Sequence, residues 1–213
     1  MKRKIVIATM NEHKASEIRA LIGDHYDVMT QSSFSIPSVA ETGKTFEENA
    51  LIKANEVSQI TGLLTLADDS GLEVDLLEGM PGVYSARYAG SNASDSDNNK
   101  KLIMELEKFK DQIIKARFHS VIAIIDPINR EKKIFHGTWE GRIILDLKGE
   151  NGFGYDPLFY IDDLESTAAE LSETEKNKFS HRANAMREVS NYLKKKTHKK
   201  NKSLKIKDLL EDE

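Results

Sequence analysis

Two adjacent carboxylates interrupt an apolar segment in the first half of the chain. The segment 66–74 reads LADDSGLEV. Apolar runs are buried, whereas ionised carboxylates are buried only when a cation or a proton-transfer role holds them there. We therefore expect a strand to end at Asp68 and Asp69, and Ser70-Gly71 to form a turn at the edge of a site for a metal ion or a phosphate-bearing ligand. Because Asp, Ser and Gly are also common turn residues, this segment alone is equally consistent with a solvated turn.

The composition indicates a soluble globular protein. The 213 residues are enough for one large or two small domains, and 39% of them are hydrophobic while 31% are charged. The net charge of −4 argues against non-specific binding of nucleic acid. The absence of cysteine excludes disulfides, thiolate nucleophiles and cysteine-ligated metal centres. No apolar stretch reaches the length of a signal peptide or a membrane span, so we expect a cytoplasmic protein without membrane contact.

The order of predicted elements indicates an α/β fold. Hydrophobic periodicity and helix-capping sequences define the elements. The predicted strands cover residues 4–9, 63–67, 72–76, 116–126, 133–138 and 142–145, and the predicted helices begin after Asn11, at Thr45, at Asp95 and after Ser172. The last two strands suit a hairpin joined around Glu140-Gly141. Because the order begins β-α-β-α-β, becomes strand-rich and closes with a helix, we expect a mixed β-sheet flanked by helices.

The C-terminal end differs from the rest of the chain. Residues 194–207 are strongly basic and residues 208–213 are acidic. Long charge blocks tend to stay mobile. We therefore assign residues 1–195 to one domain and residues 196–213 to a charged tail that acts as a solubilising appendage. The alternative is a nucleic-acid-binding or regulatory module that uses the basic tail.

Six polar clusters follow one another along the chain. They are Thr9-Met10-Asn11-Glu12-His13-Lys14, Glu41-Thr42-Gly43, Asn49 with Lys53, Asp68-Asp69-Ser70-Gly71, Gly152-Phe153-Gly154-Tyr155-Asp156-Pro157, and Lys176 with Ser180-His181-Arg182. In this order they resemble the inosine triphosphate pyrophosphatase family, which removes non-canonical purine nucleotides, and the resemblance covers residues 4–193. It implies an elongated, two-lobed α/β fold with a central nucleotide-binding cleft, and a homodimer. It also implies Mg²⁺-dependent hydrolysis of ITP, dITP or XTP to the monophosphate and pyrophosphate.

The resemblance assigns the first clusters to the triphosphate. Residues 9–14 form a strand-to-helix turn, where free N–H groups can face phosphate oxygens and Lys14 adds a positive charge. Lys53 shares a helical stripe with Asn49, so both can face one cleft. The resemblance makes Lys53 a catalytic residue that neutralises phosphate charge. It makes Ser70 a hydrogen-bond partner of a phosphate or ribose oxygen.

The acidic clusters would supply the ligands of the metal ion and the general base. Mg²⁺ takes oxygen ligands and keeps several waters. Glu41 and one of the pair Asp68 and Asp69 would supply carboxylates, with substrate phosphates supplying the rest, and we assign Asp69 as the second protein ligand. The resemblance makes Asp69 the general base that orients or deprotonates the attacking water. Because side chains alternate along a strand, Asp68 and Asp69 should point to opposite faces, so that only one of them faces the ligand fully.

The last two clusters would select the purine. Hypoxanthine and xanthine carry a 6-oxo acceptor where adenine carries a 6-amino donor, so donors at this position reject adenine. The resemblance assigns His181 and Arg182 as these donors, and it places Phe153, with Gly154 and Tyr155, against the ring. Asp156 would accept from a ring N–H, and Lys176 would reach a phosphate. A related pyrophosphatase for pyrimidine or methylated nucleotides is the nearest alternative.

Overall fold

The computed structural model describes residues 2–23 and 25–211, with side chains of the last helix described as far as Lys196. These residues form a mixed seven-stranded sheet in the order β2-β1-β3-β4-β5-β6-β7. The strands are β1 (Arg3–Ile7), β2 (Tyr26–Thr30), β3 (Leu64–Val74), β4 (Ile114–Asp126), β5 (Glu131–Ile143), β6 (Phe159–Ile161) and β7 (Ser166–Thr167). β1 runs parallel to β2 and β3, and every later pairing is antiparallel. The predicted α/β class with a mixed sheet is confirmed.

Helices cover both faces of this sheet. They are α1 (Glu12–Ile22), α2 (Phe46–Thr61), α3 (Asp95–Leu106), α4 (Glu173–Phe179) and α5 (His181–Glu211). Alternate residues of β1 point to opposite faces, so Ile5 packs with α1 and α5 while Val6 packs with α2. A third apolar cluster joins the far ends of β3 and β4 to α3 and β6. The core of the described residues is therefore divided into separate apolar clusters.

The predicted helix starts are confirmed by their caps. The Asn11 side chain accepts a hydrogen bond from the Lys14 amide at the start of α1, and the Thr45 hydroxyl accepts one from the Glu48 amide at the start of α2. Ser172 forms a capping box with Glu175 before α4. These side chains satisfy amide groups that have no partner within the helix.

Two predictions about the strands are wrong. β3 does not end at Asp68 and Asp69, because it continues to Val74 and pairs with β4 along this whole length. The two buried carboxylates are tolerated within the strand because cations lie against both of them, as described below. The hairpin around Glu140-Gly141 is also wrong, since β5 is one strand and the hairpin joins β4 to β5. Residue 141 lies within β5, and a side chain there would be too close to a neighbour, because a Cβ atom would stand 2.7 Å from the Phe159 ring.

The last helix spans the predicted domain boundary. The backbone of α5 continues to Glu211, and Lys196 lies 2.7 Å from the Asp126 carboxylate on β4. The first residue assigned to the tail is thus tied to the sheet. The side chains of residues 197–213 lie outside the described residues, so the tail remains a prediction. No described helix has the length and apolar character needed to span a membrane.

Candidate active site

Lys53 joins two carboxylates at the centre of the candidate site. Its Nζ atom lies 2.8 Å from the Asp69 carboxylate, 2.8 Å from the Glu41 carboxylate and 2.8 Å from the Asp68 carbonyl oxygen. The α2 register brings Lys53 here, because Phe46, Asn49 and Lys53 occupy one buried stripe of that helix. The predicted convergence of acidic side chains on a lysine ammonium is therefore present in the fold.

The two carboxylates of this cluster differ in basicity. Burial raises the pKa of Asp69 above its ordinary value, although the Lys53 ammonium opposes this effect. Burial alone would also raise the pKa of Glu41. The charges of Lys53 and Lys14 and a hydrogen bond from Arg87 outweigh this effect and bring the pKa of Glu41 below its ordinary value. Asp69 is accordingly the better proton acceptor of the pair.

The donor set of this cluster fits Mg²⁺. Glu41 and Asp69 supply two carboxylates near an open cleft that is also lined by Thr9, Met10, Asn11, Lys14 and Arg87. No described group of three or more His, Cys, Asp or Glu side chains is arranged to hold a metal ion. One or two carboxylates, completed by waters and substrate phosphates, are the usual protein contribution to a Mg²⁺ site.

The turn before α1 opens onto the same cleft. The Thr9 hydroxyl accepts from the Asn11 amide at 3.1 Å, which fixes the strand-to-helix turn, and Met10 is half exposed beside it. Lys14 reaches back to Asp68, with 2.8 Å between Nζ and the carboxylate. Lys14 also lines a second pocket next to the cleft, so it stands between the two.

Asp68 faces the opposite side of β3 and is fully enclosed by donors. Its carboxylate accepts from Ser120 at 2.6 Å and from Ser70 at 2.9 Å, and it pairs with Arg182 at 3.2 Å and with Lys14. Burial alone would raise the pKa of Asp68, but the charges of Arg182 and Lys14 hold it well below the ordinary value. The Ser70 hydroxyl also accepts from Arg182 at 2.9 Å, so its predicted contact with substrate remains a prediction.

The second pocket is a slot bounded by the 152–156 loop. The Phe153 ring is stacked on the His13 ring, with 5.3 Å between centroids, and the Lys176 ammonium lies 4.7 Å from the Phe153 centroid. Buried Asp156 holds the loop, because its carboxylate accepts from the Phe153 amide at 2.9 Å and from Lys176 at 2.6 Å. Phe153 therefore lines this slot, and its stacking on a purine ring remains a prediction.

Three further contacts fix the same loop. The Gly154 amide donates to Asp95 at 2.6 Å, its carbonyl accepts from Asn99 at 2.8 Å, and the Tyr155 hydroxyl donates to the Ser85 carbonyl at 2.9 Å. Asp156 and Lys176 both use polar atoms in the hydrogen bonds that hold this loop. Their predicted contacts with the purine ring and with phosphate remain predictions.

His181 and Arg182 begin α5 at the base of the slot, and both are buried. Burial, reinforced by Arg182 and Lys176, lowers the pKa of His181 well below its ordinary value, so the imidazole is neutral at pH 7. Its Nδ1 atom has no hydrogen-bond partner. α5 can approach β5 this closely because a Cβ atom on Gly137 would stand 2.2 Å from the His181 carbonyl oxygen.

Comparison with known proteins identifies the family. The model of the Ham1 family matches residues 5–192. The chain belongs to the Ham1 family. The dITP/XTP pyrophosphatase of Vibrio cholerae is 49% identical over 88% of this chain and 94% of that protein, and the one of Bacillus licheniformis is 48% identical over 90% and 98%. The resemblance drawn from the six polar clusters is confirmed.

Solved structures of Ham1 proteins share the fold. The HAM1 protein of Coxiella burnetii matches with a TM-score of 0.83 and 45% identity, over 91% of this chain and 99% of that one. The Staphylococcus aureus Ham1 protein matches with a TM-score of 0.81 and 42% identity, over 91% and 100%. The fold described here is thus the Ham1 fold.

Glu17 is a residue of this site that the sequence analysis did not predict. Glu17 pairs with Lys176 at 3.2 Å and also with Arg182. Burial alone would raise the pKa of Glu17, but the charges of Arg182 and Lys176 outweigh this effect and bring the pKa below its ordinary value. The available signal was its place three residues after Lys14 on α1, which puts both side chains on one helical face.

Proposed function

We propose that this Ham1 protein hydrolyses non-canonical purine nucleoside triphosphates (ITP, dITP or XTP) to the monophosphate and pyrophosphate with Mg²⁺. The reaction would remove these nucleotides from the cellular pool. The observation that carries the proposal is the Lys53 ammonium shared by Glu41 and Asp69, next to a slot that holds Phe153. The printed names of relatives that are 45–49% identical support the substrate class.

The triphosphate would occupy the cleft between α1 and α2. Lys14 and Lys53 supply positive charge there, and the turn that begins α1 lines the same cleft. Mg²⁺ held by Glu41 and Asp69 would neutralise further phosphate charge. Asp69 takes the proton of the attacking water as the water oxygen bonds to phosphorus, the bridging bond between the α- and β-phosphates breaks and pyrophosphate leaves.

The slot would select the base. Arg182 is charged and the neutral His181 ring carries one N–H group, so these two residues would supply the hydrogen-bond donors for a 6-oxo purine. A 6-amino group would face those donors with its own N–H groups. Buried polar groups left unpaired in this way can reject an analogue by about 10⁴-fold.

Product analysis with a nucleotide panel tests the proposal. Purified protein is incubated with Mg²⁺ and with ITP, XTP, dITP, ATP, UTP or a methylated triphosphate. We expect pyrophosphate from the oxo-purines and slow turnover of ATP. Equal rates on ITP and ATP, or orthophosphate as the product, would contradict the proposal. Preference for UTP or the methylated nucleotide would instead support the related pyrophosphatase named above.

We further propose a cytoplasmic homodimer whose basic tail is dispensable. The homodimer rests on the family resemblance, and light scattering after gel filtration measures it.

Truncation after Lys196 keeps the ion pair with Asp126 and removes residues 197–213. We expect this variant to retain ITP hydrolysis. A large loss of activity would favour a functional tail, and binding of nucleic acid by the full chain alone would favour the alternative module.

A further inference from the structure

Two histidines face each other on neighbouring strands, outside the candidate active site. His119 lies on β4 and His136 lies on β5, in diagonal positions of one sheet face, because His136 pairs with Val121 and His119 pairs with Thr138. The Nε2 atom of His119 lies 3.4 Å from the Nδ1 atom of His136. This distance exceeds the usual range of a hydrogen bond between a nitrogen donor and its acceptor.

A carboxylate stands near the outer nitrogen of each ring. The Nδ1 atom of His119 lies 3.9 Å from a Glu73 oxygen, and the Nε2 atom of His136 lies 3.9 Å from a Glu47 oxygen. Arg117 binds the other oxygen of Glu73 at 2.7 Å and so fixes that carboxylate. Metal-binding histidines characteristically present their second nitrogen to a carboxylate, which orients the ring and raises its basicity.

We propose that His119 and His136 form a two-imidazole binding site for a divalent transition-metal ion such as Zn²⁺. Zinc binds imidazole nitrogen at about 2.0–2.1 Å in tetrahedral geometry, which requires about 3.4 Å between two coordinating nitrogens. The two facing nitrogens already have this separation. An ion between them would replace the weak contact of the two rings.

The ligand type separates this site from the proposed Mg²⁺ site. Imidazole suits Zn²⁺, Cu²⁺ and Ni²⁺, whereas Mg²⁺ prefers oxygen. The Phe46 ring packs edge-on against His119, with 5.4 Å between centroids, and Phe46 is on the α2 stripe that leads to Lys53.

No third His, Asp or Glu completes a ligand set among the described residues. The pair borders an open groove lined by Met80 and Tyr84, so water can fill the remaining positions.

Calorimetric titration with Zn²⁺ in saturating Mg²⁺ tests the site in the full chain. We expect one Zn²⁺ per chain. His119→Gln and His136→Gln should each lower the affinity by at least about tenfold, and Glu73→Gln by about tenfold, since carboxylate partners of ligating histidines contribute 10- to 100-fold. His25→Gln is the matched control, because His25 is exposed and outside the pair; it should leave the affinity unchanged.

Spectroscopy with Co²⁺ provides a second, independent measurement. We expect a visible absorption band typical of tetrahedral Co²⁺ in the parent protein and its loss in the His119→Gln/His136→Gln double variant. Circular dichroism of that variant verifies that the fold is intact. Undiminished Zn²⁺ affinity in the folded double variant, or no stoichiometric binding by the parent protein, would overturn the proposal. Neither result depends on nucleotide hydrolysis.

Discussion

Asp68 and Asp69 are consecutive residues that face opposite sides of one continuous strand. The Asp69 carboxylate lies 2.8 Å from Lys53 on the α2 side, whereas the Asp68 carboxylate lies 2.8 Å from Lys14 and 3.2 Å from Arg182 on the other side. The strand period of two residues produces this separation. One carboxylate therefore belongs to the proposed reaction centre, and its neighbour anchors Lys14 and Arg182, which line the proposed purine slot.

Asp69→Asn should abolish turnover and preserve the fold. The amide cannot accept the proton of the attacking water, so we expect kcat for ITP to fall by about 10²- to 10⁴-fold. Steady-state kinetics measure the loss, and circular dichroism checks the fold. Asp163→Asn is the matched control because Asp163 is exposed. Activity within a few fold of the parent protein would remove Asp69 from the role of base.

Asp68→Asn should mainly lower stability. Arg182 is fully buried, and the substitution removes one of its two carboxylate partners while Glu17 remains. Breaking a buried ion pair costs about 3–5 kcal/mol of unfolding free energy, because it leaves a charge uncompensated. Urea denaturation followed by fluorescence measures the change. A loss as small as that of an exposed pair would show that Asp68 does not anchor the buried cation.

Glu17→Gln should weaken base discrimination. Glu17 pairs with Lys176 and with Arg182, so its neutralisation should loosen Arg182, which we propose as a donor to the purine. We expect the ratio of kcat/KM for ITP over ATP to fall by about tenfold, which corresponds to 1.4 kcal/mol. Glu56→Gln, at an exposed position of α2, serves as the control. An equal fall for both nucleotides would indicate a merely structural role.

Acid should destabilise the protein partly through His181. Its pKa in the folded state is well below the ordinary value of about 6.5, because burial disfavours the charged ring. Below pH 6.5 the unfolded chain therefore binds a proton that the folded chain does not. The unfolding free energy should fall with decreasing pH by up to about 1.4 kcal/mol per pH unit for this group.

His181→Gln tests this assignment. Denaturation at pH 7, 6 and 5 should show a shallower pH dependence in the variant than in the parent protein. The remaining slope would include His119, whose pKa is also lowered by burial. An identical slope in His181→Gln and the parent protein would contradict the buried neutral imidazole.

Local signals in the sequence were sufficient for much of the fold. The caps at Asn11 and Thr45 predicted the starts of α1 and α2, because capping depends on residues only three positions apart. Strand continuity was predicted wrongly at Asp68-Asp69 and at Gly141. In both places the deciding contacts come from distant elements, namely Arg182 on α5 and Phe159 on β6.

The sequence by itself determined the family and the chemical groups available to the site, because the order of the polar clusters along the chain can be read without the structure. It also determined that consecutive carboxylates on a strand must diverge. The tertiary structure alone decided their partners: Lys53 for Asp69, and Arg182, held also by Glu17, for Asp68. Such pairings join residues as far apart as 17 and 182, and charge compensation over that separation depends on how helices pack on the sheet rather than on any local pattern.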